Sequence, residues 1–140
     1  MQNLEKEIKE VSAVTVGFNI AMFTILYSWL LMMIPAIAIQ SLLKLDVDDT
    51  LYRFIIIPFQ IIATVIGNKN AIKASIKNIK VKDSISKVVS ISVIVTSMFI
   101  FVIELVIGTG TLVPLKSILG FIVLVITYVL SNNYFLKKML

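Results

Sequence analysis

The residues from Val11 to Leu43 form an unbroken run of 33 without a charged side chain. A straight helix of that length would reach about 50 Å, whereas the hydrocarbon core of a bilayer is about 30 Å thick. The run is too short for two spans and a turn, so its first two-thirds is predicted to cross a membrane. Pro35 lacks a backbone donor and marks the expected break, after which residues 35–45 are expected to bend onto the surface. Tyr27 and Trp29 are amphipathic aromatics of the kind that favour membrane interfaces.

A cleavable signal peptide is the alternative for this run, with Ala36-Ile37-Ala38 as its cleavage box. The preceding residues 1–10 are net acidic, and the apolar run far exceeds the ~7–15 residues of a signal-peptide core. We therefore favour a membrane span, with residues 1–10 as a helical turn or two at the membrane surface.

Three further apolar segments follow, and the whole chain is 59% hydrophobic and only 15% charged, against ~25% charged in soluble domains. The sequence predicts an all-α integral membrane protein, a bundle of four transmembrane helices arranged as two hairpins. The spans are expected at about 11–34, 51–67, 85–107 and 115–136, in a single domain of residues 1–140. No internal repeat is evident in the sequence.

The stretch from Asn68 to Lys87 lies between the two hairpins and holds much of the positive charge of the chain. Lysines recur there at helical spacing on one face and isoleucines on another. This pattern predicts a short basic amphipathic helix that lies along the headgroups and binds anionic lipid, or a cytoplasmic partner. The lysines concerned are Lys69, Lys73, Lys77 and Lys80. A calmodulin-like or nucleic-acid target is the alternative, but lysines beside membrane segments argue against nucleic acid.

Charge also predicts the orientation. With four spans, both termini and the central loop share one side, which carries ten of the thirteen Lys and Arg residues. The positive-inside rule then places that side in the cytoplasm and the protein in the plasma membrane.

The short polar connections are expected to serve the helices. Asp46, Asp48 and Asp49 could hold a cation, but the segment lacks the turn glycine and closing glutamate of a calcium loop. A cap by Asp49 or Thr50 is favoured instead, and Asp83 or Ser84 is expected to cap the third span. Residues 108–114 are expected to form the outer turn between the last two spans.

Polar side chains inside the spans are the remaining candidates for function, because they are costly in lipid and normally face protein or water. Each span shows one weakly polar side, as expected in a helix bundle. The candidates for the polar bundle face are Asn19, Gln60, Thr64, Ser90, Ser97 and Thr127. Arg53 and Glu104 are expected near the same outer boundary and are predicted to form an ion pair. The alternative is that each snorkels separately to the headgroups.

The chain contains no histidine and no cysteine. This excludes disulfides, thiol nucleophiles and imidazole or thiolate metal sites, and we expect no metal, no cofactor and no catalytic residue. The sequence favours a non-catalytic accessory, assembly or immunity-type subunit that contacts another membrane protein, or itself, through helix faces. The alternative is a small transporter or an oligomeric, holin-like pore lined by the weakly polar faces.

Overall fold

The computed structural model describes residues 9–46, 49–77, 79–107 and 114–139, with side chains except at positions 9, 100, 103–107 and 114–121. It is mostly helical, as predicted, and it adds two short strands. The elements in chain order are β1 (Lys9–Val11), α1 (Ala13–Leu43), α2 (Thr50–Ser75), β2 (Ile79–Val81), α3 (Ile85–Ile107) and α4 (Pro114–Met139).

The helices match the predicted spans closely for α3 and less closely elsewhere. Both α1 and α2 are long and apolar enough to cross a membrane. The predicted break at Pro35 is wrong, because α1 continues through Pro35 to Leu43. Ile39, four residues later, is buried with Tyr52 and Ile56 of α2, and this contact holds the last turns of α1 on the bundle despite the missing backbone donor.

The prediction of a separate basic helix between the hairpins is also wrong. Helix α2 runs on to Ser75, and the chain then enters β2. Ile72 is fully buried in a cluster with Val16, Val88 and Leu136, so the apolar face assigned to lipid packs instead against the other helices.

Strands β1 and β2 pair in parallel, with Lys9 opposite Ile79 and Val11 opposite Val81. We call the end of the bundle that carries these strands the ribbon end. In place of the helical turn expected at residues 1–10, Lys9–Val11 is a strand; residues 1–8 lie outside the described residues. Extended backbone is favoured there because each strand supplies the other with hydrogen bonds.

Asp83 joins the starts of α1 and α3 at the ribbon end. Its carboxylate accepts a hydrogen bond of 2.9 Å from the Ala13 N–H and one of 3.1 Å from Lys87 Nζ. These two donors, the Ala13 N–H foremost, hold the pKa of the Asp83 carboxyl below its usual value of 3.8. Ser84 caps α3 by accepting from the Lys87 N–H at 3.4 Å, in agreement with the expectation for that position.

At the start of α2, the side chain of Asp49 does not cap the helix. Asp49 occupies the N-cap position, but its side chain makes no capping hydrogen bond. Instead its carboxylate accepts from the Asp46 N–H at 2.7 Å and closes the turn between α1 and α2.

The four helices pack in a ring, in which α1 and α4 are each in contact with α2 and α3. The chain therefore contains the same unit twice, a short strand followed by a helical hairpin, and like elements lie side by side. Buried positions repeat accordingly. Thr24 lies eleven residues after Ala13 and Thr96 eleven after Ile85, and both are buried. The two hairpins thus pack side by side in the same orientation, as their parallel strands do.

The outside of the described bundle is strongly apolar along all four helices. Exposed large side chains include Trp29, Ile34, Ile62, Ile94, Met98, Ile126 and Leu130. The interior, in contrast, holds a cluster of hydroxyl and amide side chains, and this cluster defines the candidate site.

Candidate functional site

A group of buried polar side chains links the four helices about one third of the way from the ribbon end. We call it the polar core. Its members are Thr24 of α1, Asn68 of α2, Ser92 of α3, and Tyr128, Ser131 and Asn132 of α4.

Asn68 lies at the centre of the polar core and is fully buried. Its Nδ2 donates to Thr24 Oγ1 and to Asn132 Oδ1, each at 3.3 Å. Its Oδ1 accepts a hydrogen bond of 3.3 Å from Ser131 Oγ. A buried amide costs free energy unless it is paired, and here both ends of the amide are paired.

Asn132 carries the network on to α3. Its Nδ2 donates to Ser92 Oγ at 2.9 Å, and Ser92 in turn shares a short hydrogen bond with the hydroxyl of Tyr128. At the other end, Thr24 Oγ1 donates to the Ile20 carbonyl of its own helix at 2.7 Å. A continuous chain of hydrogen bonds therefore runs from α1 through α2 and α4 to α3.

A cavity of about 260 Å³ adjoins the polar core on the side away from the ribbon end. It lies at mid-height in the bundle, since Ser28 and Thr96 are the central residues of α1 and α3. The polar lining residues are Thr24, Ser28, Gln60, Thr64, Thr96 and Tyr128, and the apolar ones are Ile25, Trp29, Met32 and Leu124. We call it the central cavity. All the side chains that line it are uncharged.

Thr96 differs from the other hydroxyls in the central cavity. It is 3% exposed, and its Oγ1 lies near the Tyr128 hydroxyl but makes no hydrogen bond of normal geometry with the residues that the structure describes. A buried hydroxyl left unpaired costs about 1–3 kcal/mol, so this atom marks a place where a bound molecule would gain a hydrogen bond.

Small residues bring the helices close together around this region. A Cβ atom on Gly67 of α2 would lie 2.5 Å from Ser28 Oγ and 3.0 Å from Ser28 N on α1. Ser28 Oγ itself donates to the Ala63 carbonyl at 3.3 Å. Close backbone approach at glycine and serine is a common mode of helix packing in membranes.

The residues predicted for the polar bundle face lie in different surroundings. Gln60 and Thr64 line the central cavity. Asn19 and Ser90 are exposed, and the Ser90 hydroxyl donates to the Ser86 carbonyl of its own helix at 3.0 Å. Their assignment to the interior is therefore wrong, because Ser92 and Thr96, rather than Ser90, face inward on α3.

Two other predicted residues are half-buried and lie outside the polar core. Ser97 neighbours Thr96 on α3, and Thr127 donates to the Val123 carbonyl of its own helix at 2.8 Å. Both fall beside the inward face instead of on it.

The sequence did contain a signal for the residues that prediction missed. Asn68 lies eighteen residues after the first residue of α2 and Asn132 eighteen after the first of α4. Asn68 was not predicted to be buried, because Lys69 follows it directly and the segment was interpreted as a loop.

The predicted ion pair between Arg53 and Glu104 stays a prediction. Arg53 is half-buried in the first turn of α2, and its N–H donates to the Asp49 carbonyl at 3.2 Å. The side chain of Glu104 lies outside the described residues.

The four predicted lipid-contacting lysines are exposed at the ribbon end, but they do not share one helix. Lys69 and Lys73 lie on the last turns of α2, Lys77 follows that helix and Lys80 lies on β2. Lys82, Lys87, Lys137 and Lys138 are exposed at the same end, so the described part of the ribbon end is basic. Two acidic groups lie among them, with Glu10 3.9 Å from Lys82 and Asp83 3.1 Å from Lys87.

No protein-family model, no curated protein and no solved structure matches this chain.

Proposed function

We propose that this chain is an integral membrane protein in which all four helices cross the bilayer. The support is the distribution of polarity, which is the reverse of that in a soluble bundle. Many large apolar side chains are exposed along the four helices, whereas a group of hydroxyl and amide side chains is buried and hydrogen-bonded together. In lipid, polar groups must find partners inside the protein.

We propose further that the ribbon end faces the cytoplasm and that the bilayer is the plasma membrane. Among the described side chains, eight lysines are exposed at the ribbon end against two acidic groups, and positive charge beside spans favours the cytoplasmic side. On this orientation Lys69, Lys73, Lys77 and Lys80 lie at the level of the inner headgroups, where each gains about 1 kcal/mol from anionic lipid.

The function that this geometry supports best is the binding and passage of a small uncharged solute. The observation that carries this proposal is the central cavity, which lies midway along the helices and between the two halves of the bundle. Interfaces between structural repeats near the middle of the bilayer are where transporters hold their substrates. Uncharged lining favours an uncharged solute, because an unpaired charge is costly there. We propose no catalytic step, metal or cofactor for this site.

A single-cysteine experiment tests this proposal cleanly, because the chain has no cysteine of its own. Thr64→Cys would place a thiol in the central cavity, and Ile62→Cys would place one on the exposed apolar face two residues away. A small hydrophilic methanethiosulfonate should modify Thr64→Cys much faster, since only a thiol that meets water forms the reactive thiolate. Equal and negligible modification of both would contradict a solute-accessible cavity.

The second candidate is a non-catalytic accessory, assembly or immunity-type subunit that contacts another membrane protein through its helix faces. The observation that favours it is that Asn68 and Asn132 form hydrogen bonds with each other and with neighbouring side chains. The polar core therefore holds the bundle together without a solute. Isolation from native membranes in a gentle detergent separates the two candidates. A stoichiometric partner together with an unreactive Thr64→Cys would favour the subunit.

A further inference from the structure

Thr64 and Tyr128 occupy equivalent positions in the two hairpins. Each lies fourteen residues after the first residue of its helix, Thr50 in α2 and Pro114 in α4. Both are buried and both line the central cavity. At this position the second hairpin therefore presents a phenol ring to the central cavity, and the first presents a small hydroxyl side chain.

This difference in size accounts for the cavity. Tyr128 is 1% exposed, and its hydroxyl is hydrogen-bonded to Ser92, so its half of the interior is filled. At Thr64 the equivalent ring is missing, and interiors otherwise pack without large voids. The empty volume adjoins Thr64 and Thr96, the residue whose buried hydroxyl makes no hydrogen bond of normal geometry with the described residues.

We infer that the central cavity binds a small uncharged aromatic alcohol whose ring takes the place left by Thr64 and whose hydroxyl pairs with Thr96 Oγ1. This inference rests on the proposed function and names the class of solute. Thr64 sets the space available to the ring, and Thr96 selects for the hydroxyl. The remaining lining is suited to a ring, since Trp29, Met32 and Leu124 offer apolar and aromatic surface.

The test uses 4-fluorophenol as the probe and 4-fluorotoluene, which lacks the hydroxyl, as its matched analogue. Binding to the whole chain in lipid nanodiscs is measured from the ¹⁹F linewidth, and empty nanodiscs give the background from partition into lipid. We expect saturable binding of 4-fluorophenol and about two- to tenfold weaker binding of 4-fluorotoluene, the value of one hydrogen bond.

Two substitutions locate the binding. Thr64→Tyr should abolish saturable binding of both probes by filling the ring position, whereas Thr64→Val, which keeps the size of the side chain, should retain it. Thr96→Val should weaken the binding of 4-fluorophenol by about two- to tenfold and leave the binding of 4-fluorotoluene unchanged. Thr127→Val is the matched control, since the Thr127 hydroxyl donates to a carbonyl of its own helix and does not line the cavity. It should change the binding of neither probe.

The outcomes separate this inference from the proposed function. Ready modification of Thr64→Cys without saturable 4-fluorophenol binding would overturn the inference and leave a solute-accessible cavity. Equal affinity for the two probes, or a folded Thr64→Tyr variant that still binds, would also overturn it. If Thr64→Cys is not modified at all, both the inference and the proposed function fail.

Discussion

Asn68 of α2 and Asn132 of α4 meet in the interior of the bundle, with Asn68 Nδ2 donating to Asn132 Oδ1 at 3.3 Å. Each occupies the same position in its helix, and each is fully buried. Through them the hydrogen bonds of one half of the chain join those of the other. The pair therefore links the two hairpins at the centre of the molecule.

Replacing Asn68 with leucine should destabilise the bundle by about 1–3 kcal/mol, because Asn132 and Ser131 would lose a buried partner. The free energy of unfolding in mixed micelles measures this effect. Asn19→Leu is the control, since Asn19 is exposed. This substitution should lower the free energy of unfolding by no more than a few tenths of the loss expected for Asn68→Leu.

The effects of substitutions at Asn68 and Asn132 on stability should also be coupled. Once Asn68 is leucine, replacing Asn132 should cost less than it does alone, and a double-mutant cycle should give an interaction of about 0.6 kcal/mol or more. Strictly additive losses would show that the two amides do not act together.

Gly67→Ala should destabilise the contact between α1 and α2. The added Cβ would lie 2.5 Å from Ser28 Oγ and 3.0 Å from Ser28 N, so the helices must separate, at a cost of about 1–3 kcal/mol. Adding Ser28→Ala should recover only part of the loss, because the backbone clash remains. Ala74→Ser, on an exposed position of the same helix, is the control, and full recovery by Ser28→Ala would contradict the close backbone approach.

Asp83 gives the ribbon end a defined response to acid. Because its pKa is lowered in the folded protein, the carboxylate stabilises the fold at any pH above its ordinary value of 3.8, and this contribution is lost as the pH falls through the lowered pKa. Asp83→Asn should therefore be less stable than the native chain at pH 7, and the difference should shrink as both are taken toward pH 3. A difference that is the same at both pH values would exclude an ionised Asp83 as its cause.

The exposed lysines should control the affinity for anionic lipid. Replacing Lys69, Lys73, Lys77 and Lys80 together with glutamine should remove roughly 1 kcal/mol per residue of attraction to anionic headgroups. Native mass spectrometry of retained phosphatidylglycerol measures this. Lys44→Gln, at the opposite end of α1, is the control, and unchanged lipid retention in the fourfold variant would leave those lysines with a topological role only.

The extent of the helices could be predicted from the sequence wherever charge or turn residues bound an apolar run. Helix α3, Ile85–Ile107, has the bounds predicted for the third apolar segment at about 85–107, since Asp83 and Ser84 precede it. The end of α2 could not be found in this way, because its last two turns are basic outside and apolar inside. Such a pattern fits a surface helix and the end of a packed helix equally well, and only Ile72 packing against α1, α3 and α4 decides between them.

The candidate site was harder to predict, because it depends on which face of each helix turns inward. On α3 both Ser90 and Ser92 are plausible on spacing alone, and a shift of two residues turns the helix by more than half a turn. The parallel strands fix where α1 and α3 begin side by side, but each strand is only three residues long and was not predicted from the sequence. Gln60 and Thr64 were found because α2 has few polar residues in its middle to choose among.

Labelling single cysteines with a membrane-impermeant maleimide in intact cells tests the four-span arrangement most directly. Asp46→Cys lies at the end of the bundle away from the strands, whereas Lys80→Cys and Lys138→Cys lie at the ribbon end. We predict that Asp46→Cys is labelled in intact cells and that the other two are labelled only after the membrane is permeabilised. Labelling of Lys80→Cys or Lys138→Cys in intact cells would contradict the arrangement.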